Sequence, residues 1–456
     1  MTTVAVIGAG AVGCAAASAL TRAGYRVTLI EAKADVGAGT SKANTAIWHT
    51  GFDAKPGTRE ADLVARGHRL LSERAEEMNW PLERTGALLV AWTDEQRDRF
   101  DGIRANARSV GYHAIEPMRT DEVYAAEPHL GEGVRGALLV PDEGLLDPWS
   151  IVIGLATDAV VNGATLLTSA PVTDVQRGAD GYALTAGGRI VRADWIVNAA
   201  GLHSDDVDRM LGEEGFTVTP RRGQLIVFDK LSRPLLSHVI LPVPTATTKG
   251  VLVSPTVYGN LLLGPTAEDL PDRAATQTTA AGLAGLLEQG LRILPALLAE
   301  EVTAAYSGLR AATEHADYCL AVVAGKRYVR LGGIRSTGIS SCLALAEDVV
   351  AEMGEHGPRP TPLDNPVATP MPNLAESQLR PYVDAALIAR DPAFGHVVCL
   401  CERVTRGEIR DALASPVPAV DLDGIRRRTR ALAGRCQGFH CGATVTELLA
   451  TGGRDD

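Results

Sequence analysis

The feature that most constrains this chain is a glycine-punctuated turn, Gly8-Ala9-Gly10-Ala11-Val12-Gly13, between the apolar run Val4-Ala5-Val6-Ile7 and an alanine-rich stretch at 14–23. The run before it reads as a short buried strand, and alanine is the best helix former after it. Gly24 suits the end of that helix, and Arg26-Val27-Thr28-Leu29-Ile30 is a second strand that ends in Glu31. A GxGxxG pattern by itself is weak, but strand before, helix after and an acid at the end of the next strand make it a dinucleotide-binding turn. Gly8 permits the tight turn, and Gly10 lets backbone approach a pyrophosphate, with Ala11 and Val12 in the same turn. Gly13 lets helix and strand pack closely, and the helix N-terminus attracts the negative charge. Glu31 is expected to accept from ribose hydroxyls and to repel a 2′-phosphate.

Downstream, helical patterns are expected near residues 62–78, 93–110, 120–127 and 149–162, and strands near 165–167, 182–185, 195–199, 224–228, 260–263 and 328–331. Strands interleaved in this way predict a second sheet inserted into the nucleotide-binding unit. A helix is expected from Gly338 to about Met353. Prolines 358, 360, 362, 366, 370 and 372 then crowd a short segment that can form neither helix nor sheet and reads as a stiff, extended connector. Beyond it lies a small unit that holds four of the seven cysteines.

Later segments suit a nucleotide longer than NAD. Ile196-Val197-Asn198-Ala199-Ala200-Gly201 is a strand ending in small residues, and Gly332-Gly333-Ile334-Arg335-Ser336-Thr337-Gly338-Ile339 is a glycine-rich loop that opens a helix. The dipole of that helix would favour negative charge on a reduced flavin. No second GxGxxG stands in a strand–turn–helix context, which disfavours separate FAD and NAD(P)H sites.

Gly39-Thr40-Ser41-Lys42-Ala43-Asn44, His49-Thr50-Gly51-Phe52-Asp53, Arg222-Gly223-Gln224, the segment 259–266, Gly308-Leu309-Arg310 and Ile334-Arg335-Ser336-Thr337-Gly338 together resemble the D-amino-acid-oxidase-type FAD superfamily. Within it the resemblance is to the glycerol-3-phosphate and L-2-hydroxyglutarate dehydrogenase branch, and it spans residues 1 to about 356. The resemblance implies that Thr40 and Ser41 meet the FAD pyrophosphate and that Gly338 and Ile339 lie against the isoalloxazine. Val172, Ala200, Gly201, Gly333 and Thr337 complete the expected cofactor contacts. The fold class expected is α/β: a Rossmann-type FAD-binding domain (about 1–80, 145–219 and 320–356) with an inserted α+β substrate domain (about 81–144 and 220–319). A proline-rich linker (357–391) leads to a small, mainly helical iron–sulfur module (392–456).

In that module, Cys399-Leu400-Cys401 and Cys436-Gln437-Gly438-Phe439-His440-Cys441 form a C-x-C…C-x4-C set. Four clustered thiols argue for a metal centre. Structural zinc favours C-x2-C pairs, which neither half provides; an empty thiol cluster is the bland alternative. The spacing resembles the bacterioferritin-associated-ferredoxin-like 2Fe–2S domain at the end of some anaerobic glycerol-3-phosphate dehydrogenase subunits. Thr405 and Glu408 form a capping box, Asp421 caps a second helix, and Gly434 is expected to end it. Arg426, Arg427, Arg428 and Arg430 would offset cluster charge or dock an acidic partner, with a solvated face as the default reading. Cys14, Cys319 and Cys342 read as small core residues.

The chemistry expected is an FAD-dependent oxidation of a small anionic 2-hydroxy compound, glycerol 3-phosphate or an L-2-hydroxy acid. His49 is the preferred general base, since an imidazole titrates near neutral pH; covalent flavin attachment and a core role stay open for it. Arg310, with Arg335, is expected to hold the anion through its planar fork, and Lys249 and Arg222 are further candidates. His203 and His315 lie near the family motifs without an assigned role. Electrons would leave through the 2Fe–2S centre to a quinone or protein acceptor. An amino-acid or amine dehydrogenase and an electron-transfer subunit are the alternatives. A net charge of −11 argues against nucleic acid as a partner. With no apolar run long enough to span a bilayer and no signal-like start, a cytoplasmic protein is expected, peripheral association with the inner membrane surface and the oligomeric state staying open.

Overall fold

The computed structural model describes residues 1–244 and 250–453. Lys249 lies outside the described residues.

Thr3–Ile7 is the central strand of a six-stranded sheet, paired in parallel with Arg26–Ile30 on one side and Trp195–Asn198 on the other. Thr165–Leu167 and Tyr328–Gly332 extend it in parallel, and Cys319–Val323 closes one edge antiparallel. Helices Ala11–Arg22, Pro148–Val161 and Gly338–His356 cover one face, with Leu20, Leu155 and Leu345 in the common core. Both faces of the central strands are buried, which explains their near-continuous apolar sequence.

A second sheet is mostly antiparallel. Val218–Phe228 pairs along its whole length with Val302–Thr313, and on its other edge with Leu261–Gly264 and Glu268–Asp269. Leu252–Pro255, Val239–Pro242, Ala87–Ala91, Gly136–Val140 and Glu116–Met118 follow in order. Strand parity decides which of these side chains face the space between the sheets, and Arg221 stands directly opposite Arg310.

The helix expected across 93–110 is broken into Asp94–Arg97 and Phe100–Ser109, because the Thr93–Gln96 capping box starts a short turn that does not continue in register. Residues 357–380 contain neither helix nor strand, as their prolines require. The segment is laid along the body, with Leu363 N–H donating to Arg22 O (2.9 Å), Met371 N–H to Met78 O (2.9 Å) and Glu376 N–H to Val257 O (3.0 Å).

The terminal module packs helices Arg406–Ala414, Leu422–Thr429 and Gly442–Thr451 around Ile409, Ile425 and Val445. Thr405 and Glu408 make the expected capping box, and the Asp421 carboxylate accepts from Gly424 N–H at 2.6 Å. Two expectations fail here. The second helix ends at Arg430, which takes φ +71°, rather than at Gly434. Its arginines are not a solvated face: Arg427, Arg428 and Arg430 are buried against carboxylates.

Candidate active site and cysteine centre

A cavity of about 2090 Å³ runs between the two sheets, from Gly10, Glu31 and Ala200 at one end to His49, Arg310 and Ile339 at the other. The nucleotide end is built by close backbone packing. Gly8 has φ +100°, and a Cβ on Gly13 would sit 1.8 Å from the Gly8 carbonyl oxygen, so neither position admits a side chain. The Glu31 carboxylate is fixed by Ala9 N–H (2.8 Å) and Lys33 N–H (2.8 Å), at the tip of its strand. Ser41 Oγ accepts from Ala11 N–H at 3.0 Å, and Thr40 Oγ1 donates to Leu309 O at 2.8 Å. The helix beginning at Ala11 carries no acidic side chain in its first turn, so its N-terminal dipole is unopposed. Val12, in that same first turn, lines the cavity, as do Val172, Gly201, Gly333, Thr337 and Gly338. This cradle fits a dinucleotide with unphosphorylated ribose.

At the other end, strand Ile47–Trp48 pairs antiparallel with Gly144–Leu146, Trp48 opposite Gly144. Continuing that register sets His49 beside Glu143. The Nδ1 of His49 lies 3.2 Å from Glu143 Oε2, and Glu143 is fully buried. Arg310 comes from the long strand of the second sheet. It packs against Gly223, donates weakly to Thr266 O at 3.5 Å, and has no carboxylate within ion-pair distance among the described residues. Burial, then the positive charge of Arg221, holds its guanidinium below the usual arginine range. Arg221 itself is neutralised by a two-pronged contact with Asp269 (2.6 and 2.9 Å).

Arg335 reaches the cavity rim with its donors already engaged by His315 O (3.2 Å), Ala316 O (2.7 Å) and Glu60 (3.5 Å). Arg222 is buried against Glu268 at 2.6 Å and Gln277 O at 3.0 Å and does not line the cavity. His203 lines the cavity but is exposed and paired with Asp206 at 2.8 Å, and His315 sits on the outer surface against Gly215 O. Glu143 carried no sequence signal: an isolated acid in a turn acquires meaning only when strand pairing sets it beside His49.

The cysteines of the terminal module fall into two neighbouring pairs, Cys401 with Cys436 and Cys399 with Cys441. Cys399 and Cys441 are buried, and Cys401 and Cys436 are half-buried. The His440 N–H directed at Cys436 pulls that thiol below its ordinary value, while burial and then the nearby Cys399 push Cys441 up to about 11. Two thiolates for each of two irons, with backbone N–H groups aimed at sulfur, is the donor set a 2Fe–2S centre requires. Cys14 and Cys342 are core residues, and Cys319 is half-buried; all seven cysteines are unpaired as disulfides.

The module is seated on the nucleotide-binding loop. Asp35 takes Arg427 (2.5 Å) and Arg428 (2.7 Å), Arg427 also donates to Val36 O, and Lys42 pairs with Asp423 at 2.8 Å. Arg430 lies between Glu402 and the Trp149–Tyr258 ring stack. Trp149 Nε1 donates to the Lys42 carbonyl at 3.2 Å, one residue from the Ser41 cradle.

The family model described as FAD dependent oxidoreductase matches residues 3–353, and the BFD-like 2Fe-2S binding domain matches residues 397–451. A glycerol 3-phosphate dehydrogenase of Caloramator mitchellensis is 35% identical over 98% of this chain and 93% of that protein. An L-2-hydroxyglutarate dehydrogenase of Caenorhabditis elegans is 29% identical over 58% of this chain and 62% of that one. Among solved structures, the reduced, FAD-bound L-alpha-glycerophosphate oxidase of Mycoplasma pneumoniae superposes with a TM-score of 0.75 at 26% identity, covering 80% of this chain and 98% of that chain. The chain, an FAD-binding enzyme with a C-terminal 2Fe–2S domain, therefore belongs to the FAD dependent oxidoreductase family.

Proposed function

We propose that this enzyme dehydrogenates a small anionic 2-hydroxy compound, with glycerol 3-phosphate as the leading substrate. The observation that carries the reading is Arg310: a half-buried cation lining the cavity, with no carboxylate among the described residues to neutralise it. A phosphate or carboxylate on the substrate supplies the missing charge, and the guanidinium fork fits either. The whole-length likeness to a glycerol 3-phosphate dehydrogenase supports the phosphate.

His49 lines the same cavity, and its imidazole accepts the substrate's hydroxyl proton as the carbinol carbon is oxidised. Bound FAD supplies the two-electron acceptor for that carbon–hydrogen bond. Arg335, hydrogen-bonded to the His315 and Ala316 carbonyls with Glu60 at 3.5 Å, holds the loop that opens the helix at Gly338 in place. The seating of the cysteine module on the nucleotide loop supports electron exit through the cluster to a one-electron acceptor, a quinone or a protein.

The test is anaerobic. Flavin absorbance is followed while glycerol 3-phosphate, L-2-hydroxyglutarate, L-lactate, glycine and L-proline are added one at a time. Bleaching by glycerol 3-phosphate in preference to the others is the expected result. Bleaching by the amino acids alone moves the reaction to C–N oxidation, and no bleaching across the set moves the chain to a relay role.

A further inference from the structure

We infer that Glu143 is a positioning residue for the reaction: its buried carboxylate holds His49 in the tautomer protonated at Nδ1, so that Nε2 is the nitrogen that takes the substrate proton. The inference rests on His49 being the base.

Glu143 has no exposed surface, and its two oxygens are divided between two tasks. Oε1 accepts from Thr50 N–H (2.7 Å) and Thr50 Oγ1 (2.8 Å), which fixes the carboxylate plane. Oε2 lies at ion-pair distance from His49 Nδ1 (3.2 Å) and has no partner in full hydrogen-bond geometry among the described residues. A buried carboxylate oxygen with nothing but an imidazole beside it is costly unless that nitrogen carries a proton. The neighbouring backbone is equally fixed: His49 N–H donates to Ser340 Oγ (3.0 Å) and Gly86 N–H to Glu143 O (2.9 Å). Ser340 lies in the first turn of the helix that opens at the flavin loop, so base and loop are tied together.

The roles then follow without any further reactant. The substrate hydroxyl proton moves to Nε2, the imidazole becomes a cation, and the Glu143 carboxylate faces the new charge at Nδ1 and remains ionised. An acid on the far nitrogen of a histidine base both selects the tautomer and stabilises the imidazolium.

The test uses the FAD-loaded full chain labelled with ¹⁵N-histidine, with His49 assigned from the signal missing in His49→Gln. Wild type is expected to show Nδ1–H at His49, and Glu143→Gln a mixed or reversed tautomer. With glycerol 3-phosphate, Glu143→Gln is expected to lose about 10²- to 10⁴-fold in kcat with KM little changed. Thr50→Val keeps the carboxylate; it is expected to keep the tautomer and lose less than about tenfold. The Nδ1–H readout needs no substrate, so it stands apart from the identity of the substrate. An Nε2–H tautomer in wild type overturns the proposal, as does a Glu143→Gln enzyme with unchanged spectrum and kcat. A His49→Gln enzyme with undiminished kcat overturns the base reading beneath it, whereas loss in His49→Gln with none in Glu143→Gln overturns only the role of Glu143.

Discussion

The guanidinium of Arg430 lies 3.9 Å from the centre of the Tyr258 ring, buried between the cysteine module and the oxidoreductase body. Its charge is answered by Glu402 at 2.9 Å, the residue directly after Cys401, and Tyr258 is itself bonded to Asp147, which caps the helix beginning at Pro148. One arginine thus joins a cysteine loop to the element that backs the flavin cradle. Buried charge ties the module to the body.

Removing one side of that charge network should release the module. Asp35 is the shared partner of Arg427 and Arg428, and all three are buried. Asp35→Ala leaves the buried Arg428 uncompensated and Arg427 with only Asp423 at 3.4 Å, which costs about 3–5 kcal/mol. The expected outcome is faster protease cleavage within 357–391 and a lower melting temperature; unchanged cleavage would show that the ion pairs do not hold the seam.

Acid should weaken the same seam. Burial raises Glu402, but Arg430 and Lys230 pull it further down, leaving the carboxyl below its ordinary value. Asp423 behaves alike, with burial opposed more strongly by Lys42 and Arg427. A carboxylate depressed in the fold favours that fold above its unfolded pKa of about 4, and the contribution is lost as pH falls through the folded value. Hydrogen exchange in helix Leu422–Thr429 should therefore stay slow at neutral pH and accelerate from about pH 4 downward. Acceleration already near pH 6 would point to histidine instead.

Gly13→Ala should strip the flavin. Its methyl would stand 1.8 Å from the Gly8 carbonyl oxygen, so the turn has to open. The ratio of flavin to protein absorbance after purification is expected to fall severalfold, while cluster absorbance stays.

Arg310→Met should separate binding from chemistry. Hydrogen bonds to charged groups are worth about 1.5–3 kcal/mol, so KM for glycerol 3-phosphate should rise roughly 10- to 150-fold, with a smaller change in kcat. Arg310→Lys should recover part of the loss, because a point charge replaces the fork. Equal KM in wild type and Arg310→Met would place the anion elsewhere.

Cys401→Ser should abolish the cluster's visible and electron-paramagnetic signals and leave flavin bleaching by substrate intact. Loss of both would mean that cluster and flavin sites fold as one unit.

Much of this architecture was legible in the chain. The opening turn, its flanking strands and Glu31 could be placed because local sterics dictate them: a Cβ at Gly8 or Gly13 has nowhere to go. The strands at 165–167 and 328–331 were readable as apolar runs, and the Thr405–Glu408 box as a reciprocal cap. The helix stop at Arg430 was not readable, since that residue is held by Glu402 and the Tyr258 ring from other elements.

The sequence by itself determined the chemistry available: a dinucleotide turn, four spaced thiols, a histidine and arginines in motifs that the flavin fold uses. Those are properties of short segments, where spacing along the backbone fixes geometry. Only the tertiary structure decided which charges are spent and which remain. Arg335, Arg222, Arg427 and Arg428 are occupied, Arg310 faces the cavity without a carboxylate among the described residues, and Glu143 stands against His49. The physical reason is that an ion pair depends on distance and burial, and both are set by strand register and helix docking between residues remote in the chain.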